Sequence, residues 1–409
     1  MRGSCAMQQK STFQMSFHFS ERSAMSEPGV FSHTFYEFFA GSGMVRAGLG
    51  ASWRCLFAND LDEKKAESYE RNWGTGELLV RDVGKVAPCE LPGHADLAWA
   101  SFPCQDLSLA GKGAGLKGER SGTFWPFWNL VRKLRPEGRQ PEVVVLENVC
   151  GMLTSHHGGD FRSLIGALRT EGYRVGALVI DAALFVPQSR PRLFIVGVRN
   201  DIEIDPYLLS DRPQHPFHTA GVVTAYEGLQ RADRASWLWW NLPIPPSRSS
   251  TFSSLMEGEI PWHTKKQTEA LLGLMLPIHL AKVEEAKKAK KMVVGTIYKR
   301  TRPDEYGRRA QRAEVRFDEI AGCLRTPGGG SSRQTIIVVE GKKVRSRLLT
   351  PREAARLMGL SDEYTLPDNY NDAYRLMGDG VAVPVVRYLS SYLLEPLVQI
   401  TKSGIEHAA

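Results

Sequence analysis

Thr34-Phe35-Tyr36-Glu37-Phe38-Phe39-Ala40-Gly41-Ser42-Gly43 is the stretch on which the fold class turns. Thr34–Ala40 is rich in aromatic residues and reads as a strand. It runs straight into two glycines one residue apart, and a helix-like pattern follows. Glycines at a strand-to-helix turn let a ligand approach the backbone and the helix N-terminus. The spacing is not that of a dinucleotide site, because Arg46 stands where a third glycine belongs. A lone G-x-G is more often an ordinary tight turn.

Working outward, strands are expected at Cys55–Asn59, Leu78–Val83, Asp96–Ser101, Glu142–Glu147, Val175–Asp181 and Leu193–Val198. Amphipathic segments lie between several of them, at Glu63–Asn72, Phe127–Leu134 and Phe161–Thr170. Strands alternating with helices indicate an α/β fold with a mostly parallel sheet, Rossmann-like in layout. Two acids at strand ends, Asp60 and Asp82, extend the glycine turn into a nucleoside pocket at the carboxyl ends of adjacent strands.

The alternation breaks near residue 200. From there to about 345 the chain is richer in Pro, Arg, Lys and Trp, as in Trp237–Pro246. This reads as a second, smaller and irregular domain. The lysine-rich Lys282–Lys291 is compatible with nucleic-acid contact, but a solvated helix face is the simpler reading. Regular pattern returns with Thr350-Pro351-Arg352-Glu353, where a capping box and a proline open a helix. A further helix is expected over Ala382–Leu394, with Pro396 beyond its end. The division expected is 1–30 flexible, 31–204 the alternating first domain, 205–340 the irregular second domain, and 341–409 returning to the first domain.

The reactive groups sit at strand ends. Asp96–Ser101 runs into Phe102-Pro103-Cys104-Gln105, and Pro103 breaks the strand so that Cys104 stands at the sheet's carboxyl edge. Gly111, Gly113, Gly115, Gly118 and Gly122 follow, interleaved with Lys112, Lys117 and Arg120. A basic, glycine-rich loop beside a thiol favours thiolate and can close over a polyanion. A lone cysteine is otherwise usually buried and inert. Glu147 ends a continuous apolar run, where burial favours the protonated form that suits a proton donor; a structural carboxylate is the equal alternative. Arg190 and Arg192 share a parity, so an extended segment points both at one face. Paired guanidiniums bind carboxylates, phosphates or base edges, although a surface ion pair has the same look.

The chain has 409 residues, 42% hydrophobic and 24% charged, with a net charge of +7. That is enough to bury a core, and the basic excess is compatible with a polyanionic partner. Six cysteines without a C-x-x-C pair exclude a zinc ribbon and a disulfide scaffold, so a reducing cytosol is expected. The opening Met-Arg-Gly-Ser reads as a vector-derived tag. No continuous apolar run approaches the ~18 residues of a membrane span.

Taken in order, Phe39-Ala40-Gly41-Ser42-Gly43, Phe102-Pro103-Cys104-Gln105, Glu147-Asn148-Val149, Gln188-Ser189-Arg190-Pro191-Arg192, Arg347–Glu353 and Gly378-Asp379-Gly380-Val381 resemble the motif series of the DNA (cytosine-5) methyltransferases of bacterial restriction–modification type. The resemblance covers roughly residues 34–200 and 345–395, and it implies that 31–204 is the catalytic and cofactor-binding domain and 205–340 the target-recognition domain. It implies S-adenosylmethionine as cofactor and a duplex DNA whose cytosine flips out for attack at C6. It implies that Cys104, Glu147, Arg190 and Arg192 are catalytic. Phe39, Gly41, Ser42, Gly43, Asp60, Leu61, Asp82, Val83, Pro103, Phe124, Gly380 and Val381 would bind the cofactor. DNA contacts would come from Gln105, Ser108, Lys112 and Arg120 in the loop, and from Arg300, Arg302, Arg325 and Arg333 beyond it. A cognate restriction endonuclease, a monomeric state, a cytoplasmic, nucleoid-associated location and the absence of a metal or membrane anchor complete what the resemblance implies. Five positions depart from the commonest family pattern: Asp60 for Glu, Leu61 for Trp, Ser101 for Gly, and Asp379-Gly380 for Asn-Ser. The competing readings are a tRNA cytosine-5 methyltransferase, which usually carries a short Cys-Phe-Thr segment not found here, and a non-catalytic DNA-binding protein on the same fold.

Overall fold

A computed structural model describes residues 32–103, 123–303, 307–326 and 333–399. The strand expected at Thr34 is β1 (His33–Phe38), and it leads through the glycine turn into α1 (Met44–Leu49). Next come β2 (Trp53–Asp60), α2 (Glu63–Trp73), β3 (Leu78–Val80), β4 (Leu97–Ala100) and α3 (Phe124–Leu134). Then follow β5 (Val143–Val149), α4 (Gly159–Thr170), β6 (Tyr173–Asp181) and β7 (Pro191–Arg199). These strands form one seven-stranded sheet in the order β3-β2-β1-β4-β5-β7-β6. The first five run parallel, while β7 lies antiparallel between β5 and β6.

That order explains where a site can form. From β1 the chain winds outward to β2 and β3, then crosses back to β4 on the other side of β1. The carboxyl ends of β1 and β4 therefore flank a topological switch point, the crevice where open α/β sheets bind ligands. The glycine turn leaves β1 there, and Phe102-Pro103 leaves β4 there.

Alternation along the strands separates two cores. Phe35, Trp99, Val143 and Val145 face one side; Tyr36, Phe38, Ala98, Ala100, Val144 and Leu146 face the other. The second side is covered by α3 and α4. The first is covered by α1 together with the end of the chain, and Gly48 makes this possible: a Cβ there would lie 2.4 Å from that of Val386.

Residues past 200 do not all leave the large sheet. Strands β8 (Leu209–Ser210) and β9 (Trp239–Trp240) form a short ribbon, and the Leu238 amide bonds Val175 O on the edge strand β6. Helices α5 (Ala220–Glu227) and α6 (Arg231–Ala235) lie between them. The tryptophan-rich stretch is thus cover for the sheet's edge, which would otherwise present unpaired backbone groups. The smaller lobe begins later, with α7 (Lys265–Leu272) and α8 (Pro277–Lys288). Its four-stranded antiparallel sheet combines β10 (Val293–Pro303), β11 (Arg309–Arg316), β12 (Thr335–Glu340) and β13 (Lys343–Leu348) in the order β11-β10-β12-β13. The boundaries expected at 205 and 340 do not coincide with its edges, since β13 continues the hairpin from β12. On α8, Lys287 and Lys288 pair with Glu284 and Glu285, so the lysine run is a solvated face.

The return segment carries α9 (Pro351–Leu357), α10 (Tyr370–Asp379) and α11 (Val383–Leu389). The capping box at Thr350 and Glu353 is formed as expected. Pro396 does not end the last helix. A π-helical turn over Ser390–Leu394 precedes it and the helix then continues to 399. The wider turn removes the clash that a proline ring makes with the carbonyl one turn back. The helical run Tyr370–Gln399 has the length and apolarity of a membrane span, but 67% of its apolar window is buried within the protein, as in a core helix.

Candidate active site

Two halves of a site meet at the switch point. The cofactor half starts where β1 ends. Phe39 takes φ 57, a left-handed conformation unusual outside glycine, and Gly41 follows with the same φ. Where a Gly41 Cβ would project, nothing lies within 4 Å, so this residue borders open space. Its N–H donates to Asp60 Oδ2 at 2.8 Å, while Asp60 Oδ1 accepts from the Asp62 amide at 2.9 Å. The acid at the end of β2 thereby holds the turn at the end of β1, and each oxygen keeps a lone pair for a ribose hydroxyl. Beside it Leu61 is 68% exposed, an apolar platform. Asp82, past β3, caps the Gly84 amide at 2.8 Å. An acid and an exposed aliphatic surface over a glycine turn fit a nucleoside.

Several expected cofactor contacts are redirected. Gly43 is a packing glycine: a Cβ there would sit 2.2 Å from Trp73 Nε1, and its amide already donates to Ala40 O. Ser42 is buried, with its carbonyl held by Trp73 Nε1 and the Tyr364 hydroxyl. Val83 has 4% exposure and joins the second core, which leaves only its backbone for a ligand. Phe124 has no exposed surface and stacks on Trp128 in the second core. Gly380 lies against α1, where its own Cβ would be 2.2 Å from Met44 Sδ. Val381, 4% exposed, packs into the first core. Asp379, the departure from the common asparagine, pairs with Lys65 of α2 at 3.0 Å and accepts from the Thr326 hydroxyl.

The catalytic half starts where β4 ends. Pro103 is exposed, and Cys104, Gln105, Ser108, Lys112 and Arg120 lie outside the described residues. The root of that segment is tied down: Asn148 Nδ2 donates to Phe102 O at 3.3 Å. Asn148 belongs to β5, directly after Glu147. The Glu147 carboxylate, 8% exposed, meets Arg192 Nε at 3.2 Å across the β5–β7 ladder. Glu147 is thus not an isolated buried acid; a guanidinium holds one of its oxygens.

Arg190 does not join that pair. It has 2% exposure, and its guanidinium donates to Leu324 O, Gly378 O and Gly380 O at 2.9, 2.9 and 2.6 Å. Strand β7 begins only at Pro191, so the two-residue repeat that would align Arg190 with Arg192 does not reach it. Among the described residues the Arg190 guanidinium thus bonds to the chain's own carbonyls, while Arg192 alone reaches Glu147. Gln188, fully buried, completes the same junction: Nε2 donates to Leu357 O, and Oε1 accepts from the Leu324 amide. Cys323, which sequence reading passed over, sits 3.4 Å from Arg190 Nη1. Burial opposes its ionisation, but Arg190, Arg192 and Arg325 together hold the thiol below its ordinary pKa. No linear spacing signals it, because Arg190 and Arg192 lie more than a hundred positions away.

Of the expected DNA contacts, Arg300 and Arg302 lie on β10, both facing Glu314 of β11 at 3.5 Å, with Arg300 also over the Tyr298 ring. Arg300 stands directly opposite Arg312. Arg325 is exposed. Arg333 turns instead to α10, over the Tyr370 ring and bonded to Asn371. Among the described residues no cluster of three or more His, Cys, Asp or Glu could hold a metal ion.

Residues 33–395 match the family model of the C-5 cytosine-specific DNA methylases. The type II methyltransferase M.HpaII of Haemophilus parainfluenzae is 27% identical over 385 residues, covering 89% of this chain and 90% of its own. M.BsuFI of Bacillus subtilis is 35% identical over a shorter 176 residues, 42% of this chain and 41% of its own. Among solved structures, the S. pombe Dnmt2 methyltransferase superposes with a TM-score of 0.55 at 20% identity, covering 89% of this chain and 99% of that one. An Entamoeba histolytica methyltransferase gives 0.58 at 15% identity, covering 90% and 99%. These two share the fold.

Proposed function

Because this chain belongs to the C-5 cytosine-specific DNA methylase family, we propose that Cys104 attacks C6 of a cytosine flipped out of duplex DNA while Glu147 and Arg192 hold the base. The chain is an S-adenosylmethionine-dependent DNA (cytosine-5) methyltransferase. The observation that carries the residue assignment is the Arg192–Glu147 pair, 3.2 Å apart at the mouth of the strand next to the one that leads to Cys104.

Cytosine C5 is a poor nucleophile until a thiolate adds at C6 and makes the C5–C6 edge an enamine. Glu147 faces N3, where its hydrogen bond offsets the charge that develops in the ring. Arg192 fixes that carboxyl group and supplies positive charge beside it. Asn148 anchors the Phe102 carbonyl and so the base of the segment that carries Cys104. Gly41, Asp60, Leu61 and Asp82 hold the cofactor's nucleoside end. When bound, the cofactor supplies an electrophilic methyl group for C5. Loss of the C5 proton and expulsion of Cys104 then restore the aromatic ring. The exposed arginines of β10 and β11 meet the DNA, since a two-stranded ribbon fits the major groove. A monomer acting beside a cognate endonuclease is the arrangement this reading carries forward.

Covalent trapping tests it. The protein and a Cys104→Ala variant are incubated with S-adenosylmethionine and mixed-sequence duplexes carrying 5-fluorocytosine, then run on a denaturing gel. Fluorine cannot leave C5 as a proton does, so the enzyme stalls as an adduct. A cofactor-dependent band in the wild type alone is expected. No band with DNA, or methyl transfer to tRNA in its place, would overturn the reading.

A further inference from the structure

Resting on that reading, we propose that Arg190 is a positioning residue that locks the β11–β12 connection of the small lobe to the Gly378–Gly380 turn packed against α1, so that DNA binding at the lobe and cofactor binding at the glycine turn before α1 are coupled. The guanidinium is fully enclosed, yet among the described residues no carboxylate pairs with it. An uncompensated buried charge would be strongly unfavourable. Its compensation comes from two chain segments distant in sequence. Gly378 and Gly380 present carbonyls at the C-terminal end of α10, the negative pole of the helix dipole. Leu324 and Cys323 present a carbonyl and a sulfur from the strand exit that follows β11.

The two segments also touch directly. A Cβ on Gly378 would lie 2.6 Å from the Thr326 amide nitrogen and 2.7 Å from the Arg325 carbonyl carbon. Gly380 in turn rests on Met44, the first residue of α1 after the glycine turn. Thr326 reaches Asp379, and Asp379 reaches Lys65 on the helix that follows Asp60. Contact is therefore continuous from the exposed Arg325, through Gly378 and Arg190, to Met44 of α1 and Lys65 of α2, the helices that follow the glycine turn and Asp60. A shift of the β11–β12 connection on DNA must move Gly378–Gly380 or break the Arg190 bonds. By linkage, the cofactor must then alter DNA affinity by the same factor.

The test is a cycle of Arg190→Lys, Gly378→Ala and the double variant, read by calorimetric binding of S-adenosylhomocysteine with and without the duplex recovered by trapping. A lysine cannot reach three carbonyls from one planar fork, and the alanine methyl pries the same contact apart while leaving Arg190 in place. Each single change is expected to weaken S-adenosylhomocysteine binding about tenfold, the worth of one charge-assisted hydrogen bond, and to diminish the gain in affinity that the duplex confers. The double variant is expected to bind no worse than the weaker single, because both act on one contact. A purely structural role would lower the melting temperature and leave the duplex-dependent gain intact. Affinities within twofold of wild type, additive effects, or a wild type whose S-adenosylhomocysteine affinity ignores the duplex would overturn the proposal. If Arg190→Lys does not fold, Gly378→Ala decides alone by the same criteria. A wild type that neither binds S-adenosylhomocysteine nor traps DNA would sink the catalytic reading instead.

Discussion

Replacing Glu37 with Gln should remove a large share of the protein's pH sensitivity. Glu37 is the next-to-last residue of β1, two residues before Phe39, and has no exposed surface. Burial, with Asp60 nearby, pushes its carboxyl up to about 8 from 4.5; Arg46 and the amides of Val45 and Arg46 oppose this only in part. Between those two values the folded chain keeps a proton that the unfolded chain has lost. Stability is then full below about 4.5 and falls by ~1.4 kcal/mol per pH unit as pH rises to about 8, where the loss levels off. The interval of 3.5 units (8 − 4.5) makes the total ~5 kcal/mol. Glutamine has the shape of the protonated acid and cannot ionise, so the variant escapes this loss. Urea unfolding followed by tryptophan fluorescence from pH 5 to 9 measures it. The two proteins should nearly coincide at pH 5, and the variant should be the more stable by several kcal/mol at pH 9. Stability curves that run parallel across the range would refute the claim that Glu37 is held protonated.

Arg192→Met leaves Glu147 enclosed without its guanidinium; adduct formation on 5-fluorocytosine DNA should slow by ~10²-fold or more, the scale of a lost electrostatic contact in a closed site. S-adenosylhomocysteine binding should be unchanged, and an undiminished trapping rate would remove Arg192 from the mechanism. Arg347 and Glu353 form a two-pronged ion pair at 2.8 and 2.6 Å, each 2% exposed. Arg347→Met alone should cost ~3–5 kcal/mol in chemical unfolding. Adding Glu353→Leu should cost less than the sum of the singles, although the amides of Thr350 and Glu257 also lose an acceptor; simple additivity would show that the pair is not coupled.

What could be read in the sequence was whatever local pattern determines. Every expected strand of the large sheet is present, because buried runs between turns carry their own signature. Glu147 and Asp60 were legible as acids at strand ends. Their hydrogen-bond assignments were not, since Arg192 reaches Glu147 across the ladder and Gly41 reaches Asp60 from another strand. The glycines show the limit most sharply. Gly41 and Gly43 look alike in the sequence, yet one borders open space and the other makes room for Trp73. Only the packing of α2 against the turn distinguishes them. The edge-covering role of Trp237–Trp240 was hidden for the same reason: composition shows aromatic residues but not which backbone edge they protect.

Arg190 and Arg192 carry the same lesson into mechanism. Two positive charges two residues apart would repel each other in any shared pocket, and each lowers the other's tolerance for burial. The structure resolves this by giving them different compensation. Arg192 takes the Glu147 carboxyl group at the site's mouth, the same group that meets the base. Arg190 takes carbonyl dipoles and the Cys323 sulfur, which neutralise it without adding a second acid near Glu147. An extra carboxylate there would compete for Arg192 and weaken its hold on Glu147. Compensation by dipoles from two separate segments keeps the base-holding pair intact, and it makes the geometry of those segments a condition for burying the charge. For that reason a lysine at 192, which can still neutralise Glu147 through one contact, should be the milder substitution, and a lysine at 190, which must satisfy three carbonyls at once, the harsher.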